Sequence, residues 1–313
     1  MNAVGPRTRP FRFGVVAAHI RSRSDWVAQA RKVEELGYDT LLVVDHLTTS
    51  LGPLVALTVA AEVTQKIRVG SFVLCNDFRH PAILAKELAT LDVLSEGRLE
   101  FGLGSGYMPS DYQQTGLRFD SPGIRVSRFE ESVRLFKNIF SEETVNFQGD
   151  HYTITNLQGL PKPVQRPHPP LYIGGGGQRV LSFAAREADI VGIAHKNSAH
   201  GLNLANTTSE PTAQKIAWVR EAAGDRFSQL ELSVMVFQTQ ITDQRDGVAA
   251  QMGQRVGLSA AQVLDSMQLL VGTVDQVAET LWTRRENFGI SYIVVTEEQI
   301  EKFAPVVARL SGQ

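Results

Sequence analysis

Short apolar segments alternate with longer segments of helical periodicity along most of the chain. Segments rich in Val, Ile, Leu and Phe predict strands, and segments with apolar residues every three or four positions predict helices. The predicted strands are 13–18, 40–46, 67–74, 98–104, 171–174, 189–194, 230–241 and 291–296. The predicted helices are 25–37, 53–64, 81–95, 127–140, 180–188, 212–224, 274–289 and 298–310. The pattern therefore predicts eight consecutive strand–helix units.

Several predicted strands are apolar on both faces, as in "LLVV" (41–44) and "YIVV" (292–295). Such strands are typical of a parallel sheet that helices cover on both sides. Eight of these units in a chain of 313 residues predict a TIM (β/α)8 barrel with insertions. A doubly wound open sheet is the alternative.

The chain shows no linker that divides it, so we expect a single catalytic domain over residues 11–313, after a flexible tail at 1–10. Insertions into the barrel are predicted near 141–168, 195–212 and 246–271. The first insertion contains a predicted hairpin, 145–155, with its turn at Gly149-Asp150, and the last predicts short helices.

Composition excludes several classes of function. The apolar fraction of 43% and the charged fraction of 20% are typical of a soluble globular protein. A net charge of −2 argues against binding to nucleic acid. Cys75 is the single cysteine, which excludes an intramolecular disulfide, and the histidines show no metal-binding spacing. Without a signal peptide or a membrane-spanning apolar segment, we expect a cytoplasmic protein that binds no membrane.

Polar residues and glycines follow the predicted strands, where TIM barrels carry their chemistry. Asp45 and His46 end the second predicted strand, directly after "LLVV". An imidazole exchanges a proton near neutral pH, so His46 is a candidate general acid or base. The structural alternative is a histidine that only forms a hydrogen bond to a loop.

Two glycine segments are candidates for contact with a ligand. "GLGSGY" (102–107) lacks the dinucleotide-binding spacing, and no helix is predicted directly after it. It suits a flat ring lying on the backbone, or else forms a turn. "GGGGQRV" (174–180) opens a predicted helix, whose free amides and dipole favour a phosphate group. Arg179 adds a positive charge there, and a flexible turn is the alternative.

Several segments, taken in order, resemble the luciferase-like monooxygenase superfamily and, within it, the coenzyme F-420-dependent oxidoreductases (F420 in protein names). They are "GYDTLLVVDH", "IRVGSFVLCNDFRHPAILAKELATLDVLSEGRLEFGLGSGY", "KPVQRPHPPLYIGGGGQRVLSFAAREAD" and "VGTVDQVAETL". The resemblance runs from about residue 11 to 310 and implies a TIM barrel that transfers a hydride between the deazaflavin and a small organic substrate. An FMN-dependent monooxygenase served by a separate reductase, or a cofactor-binding barrel without catalysis, are the alternatives.

The resemblance also implies roles for individual residues. Asp45 and His46 are the implied catalytic residues, with His46 handling the substrate proton, and Tyr107 is a candidate second catalytic residue. A non-prolyl cis peptide is implied at Ser71-Phe72, beneath the ring. The implied residues around the ring are Asp45, His46, Ser71, Phe72, Asn76, Gly104, Ser105, Gly106 and Tyr107. The implied phosphate-binding residues are Gly174, Gly175, Gly176, Gly177, Gln178 and Arg179.

One position departs from the pattern of the resemblance. The sugar-phosphate dehydrogenases of the family carry Glu where this chain has Tyr107. A phenol there indicates a more apolar or aromatic substrate, or a second proton donor. The resemblance also implies a homodimer, and residues 195–212 are expected to cover the substrate side.

Overall fold

The computed structural model describes residues 9–195, 197–198 and 201–313. Residues 1–8 of the predicted tail and residues 196, 199 and 200 of the predicted second insertion lie outside the described residues. The strands are β1 Arg12–Ala17, β2 Thr40–Val43, β3 Arg68–Ser71, β4 Leu74–Cys75, β5 Leu99–Gly104, β6 Val145–Gln148, β7 Thr153–Leu157, β8 Leu171–Gly175, β9 Ile190–Ile193, β10 Asn197–Ser198, β11 Gly201–Leu202, β12 Glu231–Val236, β13 Gln238–Ile241, β14 Leu269–Gly272 and β15 Ile290–Thr296.

The helices alternate with these strands. The α-helices are α1 Arg23–Glu35, α2 Pro53–Val63, α3 Pro81–Leu94, α4 Pro109–Thr115, α5 Pro122–Ser141, α6 Gln178–Glu187, α7 Ser209–Ala223, α8 Arg245–Val256, α9 Ala260–Asp265, α10 Val274–Phe288 and α11 Ile300–Leu310. Short 3-10 helices span Asn76–Phe78, Leu204–Thr207, Gly224–Gln229 and Glu297–Gln299.

The main sheet has the strand order β3-β2-β1-β15-β12-β9-β8-β5-β4, and β3 also pairs with β5. That last pairing closes the sheet, so the fold is the predicted TIM (β/α)8 barrel and the doubly wound alternative is wrong. Neighbouring strands are parallel: β15, for example, pairs with β1 and with β12, and Ile293 lies opposite both Phe13 and Val234.

By its internal contacts the chain divides into two compact units. The first comprises the described residues up to Val16, with Lys32–Thr40 and Ile173–Gln313. The second comprises Ala17–Arg31 and Leu41–Tyr172.

In the first unit, β15 is buried along nearly its whole length, as its apolar segment "YIVV" (292–295) predicts. Phe13 of β1 packs edge-on against Phe303 of α11, with ring centroids 5.8 Å apart. Helix α10 begins with a capping box between Thr273 and Gln276 and ends at Gly289, whose φ is +75°. These local signals explain why the predicted and observed bounds of α10 agree.

In the second unit, α2 and α3 each begin with the proline that predicted their first turn. Phe101 of β5 packs against Phe136 and Phe140 of α5, with ring centroids 5.9 and 5.8 Å apart. The hairpin β6–β7 forms as predicted, with antiparallel pairing.

Three predictions about elements need correction. The strand predicted at 67–74 is interrupted after β3 and resumes as β4. The strand predicted at 230–241 is divided into β12 and β13, and β13 pairs with β14 in a separate parallel sheet. Strand β14 lies at the end of a segment predicted to be helical, because a four-residue apolar run cannot be told from a helix by periodicity alone.

Candidate active site

Asp45, two residues after the end of β2, is bound on both of its carboxylate oxygens. It accepts a hydrogen bond from the backbone N–H of Cys75 at 2.9 Å. Arg79 donates to both oxygens, at 2.7 and 3.0 Å, in the bidentate geometry that suits a guanidinium and a carboxylate. The Asp45 side chain is only 6% exposed. Asp45 therefore ties the ends of β2 and β4 together.

His46 is oriented by a carboxylate that the sequence analysis did not single out. Its Nδ1 atom lies 2.7 Å from Oδ2 of Asp111, and Oδ1 of Asp111 accepts from the backbone N–H of Leu47 at 3.2 Å. The Asp111 side chain is 3% exposed and the His46 side chain 24%. A buried carboxylate at this distance favours the proton on Nδ1, so Nε2 of neutral His46 carries the free lone pair.

Tyr107 lies on the other side of the same imidazole. Its hydroxyl is 3.5 Å from Nε2 of His46, and the two rings meet edge-to-face with centroids 5.5 Å apart. Partial burial and the negative charge of Asp111 both raise the pKa of Tyr107, so the phenol keeps its proton at neutral pH. Asp111, His46 and Tyr107 thus form a carboxylate–imidazole–phenol array, within which protons can be held and passed.

Helix α4 brings Asp111 to this array. The helix, Pro109–Thr115, comes just after "GLGSGY", where no helix was predicted, and its C-cap is Gly116, whose φ is +71°. Asp111 lies in its first turn, where a negative charge is favoured by the helix dipole. The signal was therefore present in the sequence as a proline at the first position and an acid two residues later.

A second charged network lies beside the array. Tyr112 donates to Asp77 at 2.9 Å, and Arg128 of α5 donates to Asp77 from Nε at 2.9 Å and from Nη2 at 3.0 Å. Arg128 also donates to Asp120 at 3.0 Å. Burial raises the pKa of the neighbouring Cys75 thiol to about 11, so this cysteine is a thiol and not a nucleophile at neutral pH.

The glycines of "GLGSGY" are required by the packing of the protein itself. A Cβ atom on Gly104 would lie 2.8 Å from Val73, and one on Gly106 would overlap the hydroxyl of Tyr112. Gly106 also has a φ of +71°, which disfavours any residue with a side chain. Ser105 between them is half-buried. Whether a ring also lies on this backbone stays a prediction.

The cis peptide implied by the resemblance is present one residue further along the chain, between Phe72 and Val73, so the expected position Ser71-Phe72 is wrong. Ser71 is the last residue of β3, and its hydroxyl exchanges hydrogen bonds with the backbone of Gly102, both at 2.9 Å. Phe72 is half-buried and packs against Tyr172, with ring centroids 5.1 Å apart.

The glycine segment at 174–177 belongs to the first unit. Gly174 and Gly175 end β8, Gly176 follows, and Gly177 is the N-cap of α6, so Gln178 and Arg179 are the first residues of that helix. None of these four described glycines has a positive φ. A Cβ on Gly175 would lie 2.8 Å from Val180, whereas one on Gly177 would meet nothing within 4 Å. Since no side chain caps α6, its first amides keep their capacity to bind an anion.

Two further properties concern the described residues as a whole. Within residues 9–195, 197–198 and 201–313, no three His, Cys, Asp or Glu side chains come together in a group that could hold a metal ion. No helix in that same part of the chain combines the length and the apolar character that crossing a bilayer requires.

Residues 10–250 match the family model described as luciferase-like monooxygenase. The chain therefore belongs to the luciferase-like monooxygenase family, as its barrel and its sequence segments imply.

Curated relatives fall into two cofactor groups. The chain is 32% identical over 173 residues to an F420-dependent glucose-6-phosphate dehydrogenase of Amycolatopsis mediterranei, covering 53% of this chain and 51% of the relative. It is 28% identical over 187 residues to an FMNH(2)-dependent dimethylsulfone monooxygenase of Pseudomonas putida, covering 56% of this chain and 51% of the relative. The matched part thus spans about half the length of these curated relatives.

Solved structures share the fold over nearly the whole chain. The coenzyme F420-dependent tetrahydromethanopterin reductase of Methanopyrus kandleri superposes with a TM-score of 0.75 at 18% identity, covering 96% of this chain and 100% of the reductase. A monooxygenase of Streptomyces bottropensis gives a TM-score of 0.74 at 21% identity, covering 96% and 98%. At these identities the likeness concerns the fold alone.

Proposed function

We propose that the protein is a coenzyme F-420-dependent oxidoreductase that transfers a hydride between the deazaflavin and a small organic substrate with a C=C, C=N or alcohol/carbonyl group. The observation that carries the proposal is the array of Asp111, His46 and Tyr107. A hydride transfer to or from carbon needs a proton partner, and this array offers two protonatable groups in contact. The relatives named as F420-dependent support the choice of coenzyme.

The residues near the array fit a flat, ring-shaped coenzyme. Phe72 and Val73 are half-buried apolar side chains, and Asn76, which follows β4, is a polar side chain able to bind a ring edge. His46 and Tyr107 are both accessible, with the Tyr107 residue 53% exposed. The deazaflavin supplies the hydride donor or acceptor when bound. The uncapped amides of α6, which Gly177 precedes, are proposed separately as a phosphate-binding site.

His46 and Tyr107 have separate roles in this proposal. With its proton on Nδ1, neutral His46 offers Nε2 as a base and takes a proton from a substrate hydroxyl in the oxidative direction. In the reductive direction the protonated His46 returns that proton by the same path, and Tyr107, which keeps its own proton, is a second acid for the reduction of a C=C or C=N substrate. Asp111 holds the imidazole in this orientation through its contact with Nδ1 at 2.7 Å, so Nε2 stays directed towards Tyr107 and the substrate.

The side chain at position 107 also restricts the substrate. A half-exposed phenol beside His46 offers a ring face and one hydroxyl, where a carboxylate would favour a polar sugar. We therefore propose an apolar or aromatic alcohol, enone or imine and not a sugar phosphate. No nucleic acid or membrane partner is proposed, and the homodimer implied by the resemblance stays a prediction.

The test combines binding and turnover. Fluorescence titration of the purified protein with coenzyme F-420 and with FMN, followed by turnover against alcohols, enones and imines, should show deazaflavin binding and coenzyme oxidation or reduction. His46→Ala should lower kcat by roughly 10²–10⁴-fold with little change in coenzyme Kd. Unchanged turnover in His46→Ala, at equal coenzyme saturation, would refute the assignment of His46 as the proton partner.

An FMN-dependent luciferase-like monooxygenase is the second candidate, because relatives named as FMNH(2)-dependent monooxygenases match the chain at similar length. Such an enzyme would receive reduced FMN from a separate reductase. Micromolar FMN binding without deazaflavin binding, together with oxygen consumption on supply of reduced FMN, would favour this candidate over ours.

A further inference from the structure

The β6–β7 hairpin is attached to α5 through a single carboxylate. Glu131 of α5 is 7% exposed. Its carboxylate accepts hydrogen bonds from three consecutive backbone N–H groups in the turn between β6 and β7. The N···O distances are 2.9 Å from Asp150, 3.0 Å from His151 and 2.7 Å from Tyr152. Hydrogen bonds to a charged acceptor are the stronger kind, so the tip of the hairpin is held in one position on the helix.

Two neighbouring residues add to this attachment. A Cβ on Gly149 would overlap the Glu131 carboxylate, so the turn approaches the carboxylate closely only because position 149 is glycine. Nε2 of His151 lies 3.1 Å from the hydroxyl of Ser127, one turn before Glu131 on α5. The hairpin is therefore an ordered part of this unit.

The hairpin brings Tyr152 to Asn76, one of the residues implied to contact the ring. Asn76 is 2% exposed, and its Nδ2 donates to the Tyr152 hydroxyl at 3.1 Å. The Tyr152 ring also meets His80 edge-on, with centroids 5.6 Å apart. Burial raises the pKa of Tyr152, so its hydroxyl keeps a proton that it can donate.

Two hydrogen-bonding groups in this contact have no partner in the part of the chain that the structure describes. One is the acceptor Oδ1 of Asn76, and the other is the hydroxyl hydrogen of Tyr152. An acceptor and a donor that lie side by side match a ligand edge on which an N–H group and a C=O group are adjacent. The pyrimidine part of a flavin or deazaflavin ring has such an imide edge.

We propose that the hairpin insertion supplies Tyr152 as a coenzyme-binding residue, and that Tyr152 and Asn76 together recognise the imide edge of the ring. The proposal rests on the proposed function for the presence of a ring coenzyme, and it applies equally to a deazaflavin and to FMN. It gives the insertion a direct role in binding, in which Glu131 holds Tyr152 in place.

Titration of coenzyme F-420 and FMN into wild type and Tyr152→Phe tests the role of the hydroxyl. The variant keeps the ring against His80 and loses one donor, so we expect the coenzyme Kd to rise roughly 3- to 10-fold. The melting temperature and the circular dichroism spectrum should not change. The absorption band of the bound coenzyme should shift, because a hydrogen bond to the ring is lost.

His151→Ala is the matched control, since it weakens the hairpin attachment without touching Asn76. It should lower the melting temperature and leave Kd within twofold of wild type. An analogue methylated at the imide nitrogen should bind wild type more weakly, and its Kd should respond less to Tyr152→Phe.

The outcomes separate this proposal from the proposed function. If wild type binds one ring coenzyme and Tyr152→Phe binds it equally well, the role of Tyr152 is refuted and the proposed function is untouched. Equal weakening by His151→Ala and Tyr152→Phe would also refute it, because hairpin order would then explain the loss. If wild type binds neither coenzyme, both proposals fail.

Discussion

The Oδ2 atom of Asp111 lies 2.7 Å from Nδ1 of His46, which couples the first turn of α4 to the residue that follows β2. Asp111 is shielded from water and His46 is partly accessible, with side-chain exposures of 3% and 24%. In this environment the carboxylate determines which ring nitrogen carries the proton. It therefore also determines which nitrogen of His46 offers a lone pair to a ligand or to Tyr107.

Asp111→Asn should keep a hydrogen bond to Nδ1 of His46 but exchange its donor and its acceptor. The amide would donate to Nδ1 and move the imidazole proton to Nε2, so His46 would no longer offer its lone pair beside Tyr107. We expect kcat to fall by roughly 10²–10⁴-fold while the coenzyme Kd changes little. Steady-state kinetics and fluorescence titration measure the two quantities.

Gln113→Ala, on the exposed side of the same helix, is the control for general effects on α4. It should behave as wild type in both measurements. An Asp111→Asn variant with wild-type kcat would show that the tautomer of His46 has no part in the reaction.

Tyr107→Phe tests the phenol as a proton donor. Because burial and Asp111 raise its pKa above the ordinary value of 10.0, the hydroxyl is protonated throughout the neutral range and loses its proton only at more alkaline pH. The rate of substrate reduction by wild type should therefore decline above pH 10. Tyr107→Phe should not show this alkaline decline. We expect a loss of roughly 10- to 100-fold in kcat at pH 7. A pH–rate profile that is identical in both proteins would exclude Tyr107 as the donor.

Gly177→Asp tests the N-terminus of α6 as a phosphate site. Gly177 is extended, with φ −108° and ψ 151°, and has open space at its Cβ, so Asp fits there and caps the helix well. Its negative charge should raise the Kd of FMN or coenzyme F-420 by roughly tenfold through repulsion of the phosphate.

Gly177→Asn is the neutral counterpart and should cap the helix without this repulsion. Riboflavin, which lacks the phosphate, should bind both variants alike. Equal FMN or F-420 affinity of the Asp and Asn variants would show that no phosphate binds at this helix.

Lys215 of α7 is a buried cation with a cost to stability. It is 2% exposed, donates to the carbonyl of Asn206 and, through burial, has its pKa lowered to about 8. Below pH 8 the ammonium is present in the folded and the unfolded state alike, so the full cost of burying it applies. Between pH 8 and about 10.5 the unfolded state binds more protons, and stability from this group rises with pH.

Lys215→Met should therefore raise the free energy of unfolding at pH 7 by on the order of 2 kcal/mol, since one pKa unit corresponds to about 1.4 kcal/mol and one hydrogen bond is lost. Urea denaturation at pH 7 and pH 10 measures the difference, which should shrink at the higher pH. A destabilised variant at pH 7 would show that the hydrogen bond to Asn206 outweighs the cost of burial.

Local patterns in the sequence determined most of the elements of the fold. The two-residue and 3.6-residue periods of apolar side chains, with Pro53 and Pro81 at helix starts and Gly289 at a helix end, act within a few residues and are visible without a structure. They were sufficient for eight strand–helix units and hence for the barrel. The same local patterns predicted that Asp45 and His46 lie at the end of a strand, because the apolar run before them defines that strand. The residue roles and the coenzyme came from family resemblance, and the site residues stay predictions.

The partners of those residues were decided only by the tertiary structure. Asp111 is 65 positions from His46, and Tyr152 is 76 positions from Asn76. No local period relates such pairs, because their contacts arise when parallel strands align their carboxyl ends and the loops after them meet. The ion pair between Arg79 and Asp45 and the break between β3 and β4 were likewise visible only in the tertiary structure. The chain sequence sets which side chains follow each strand, and the closed sheet sets which of them touch.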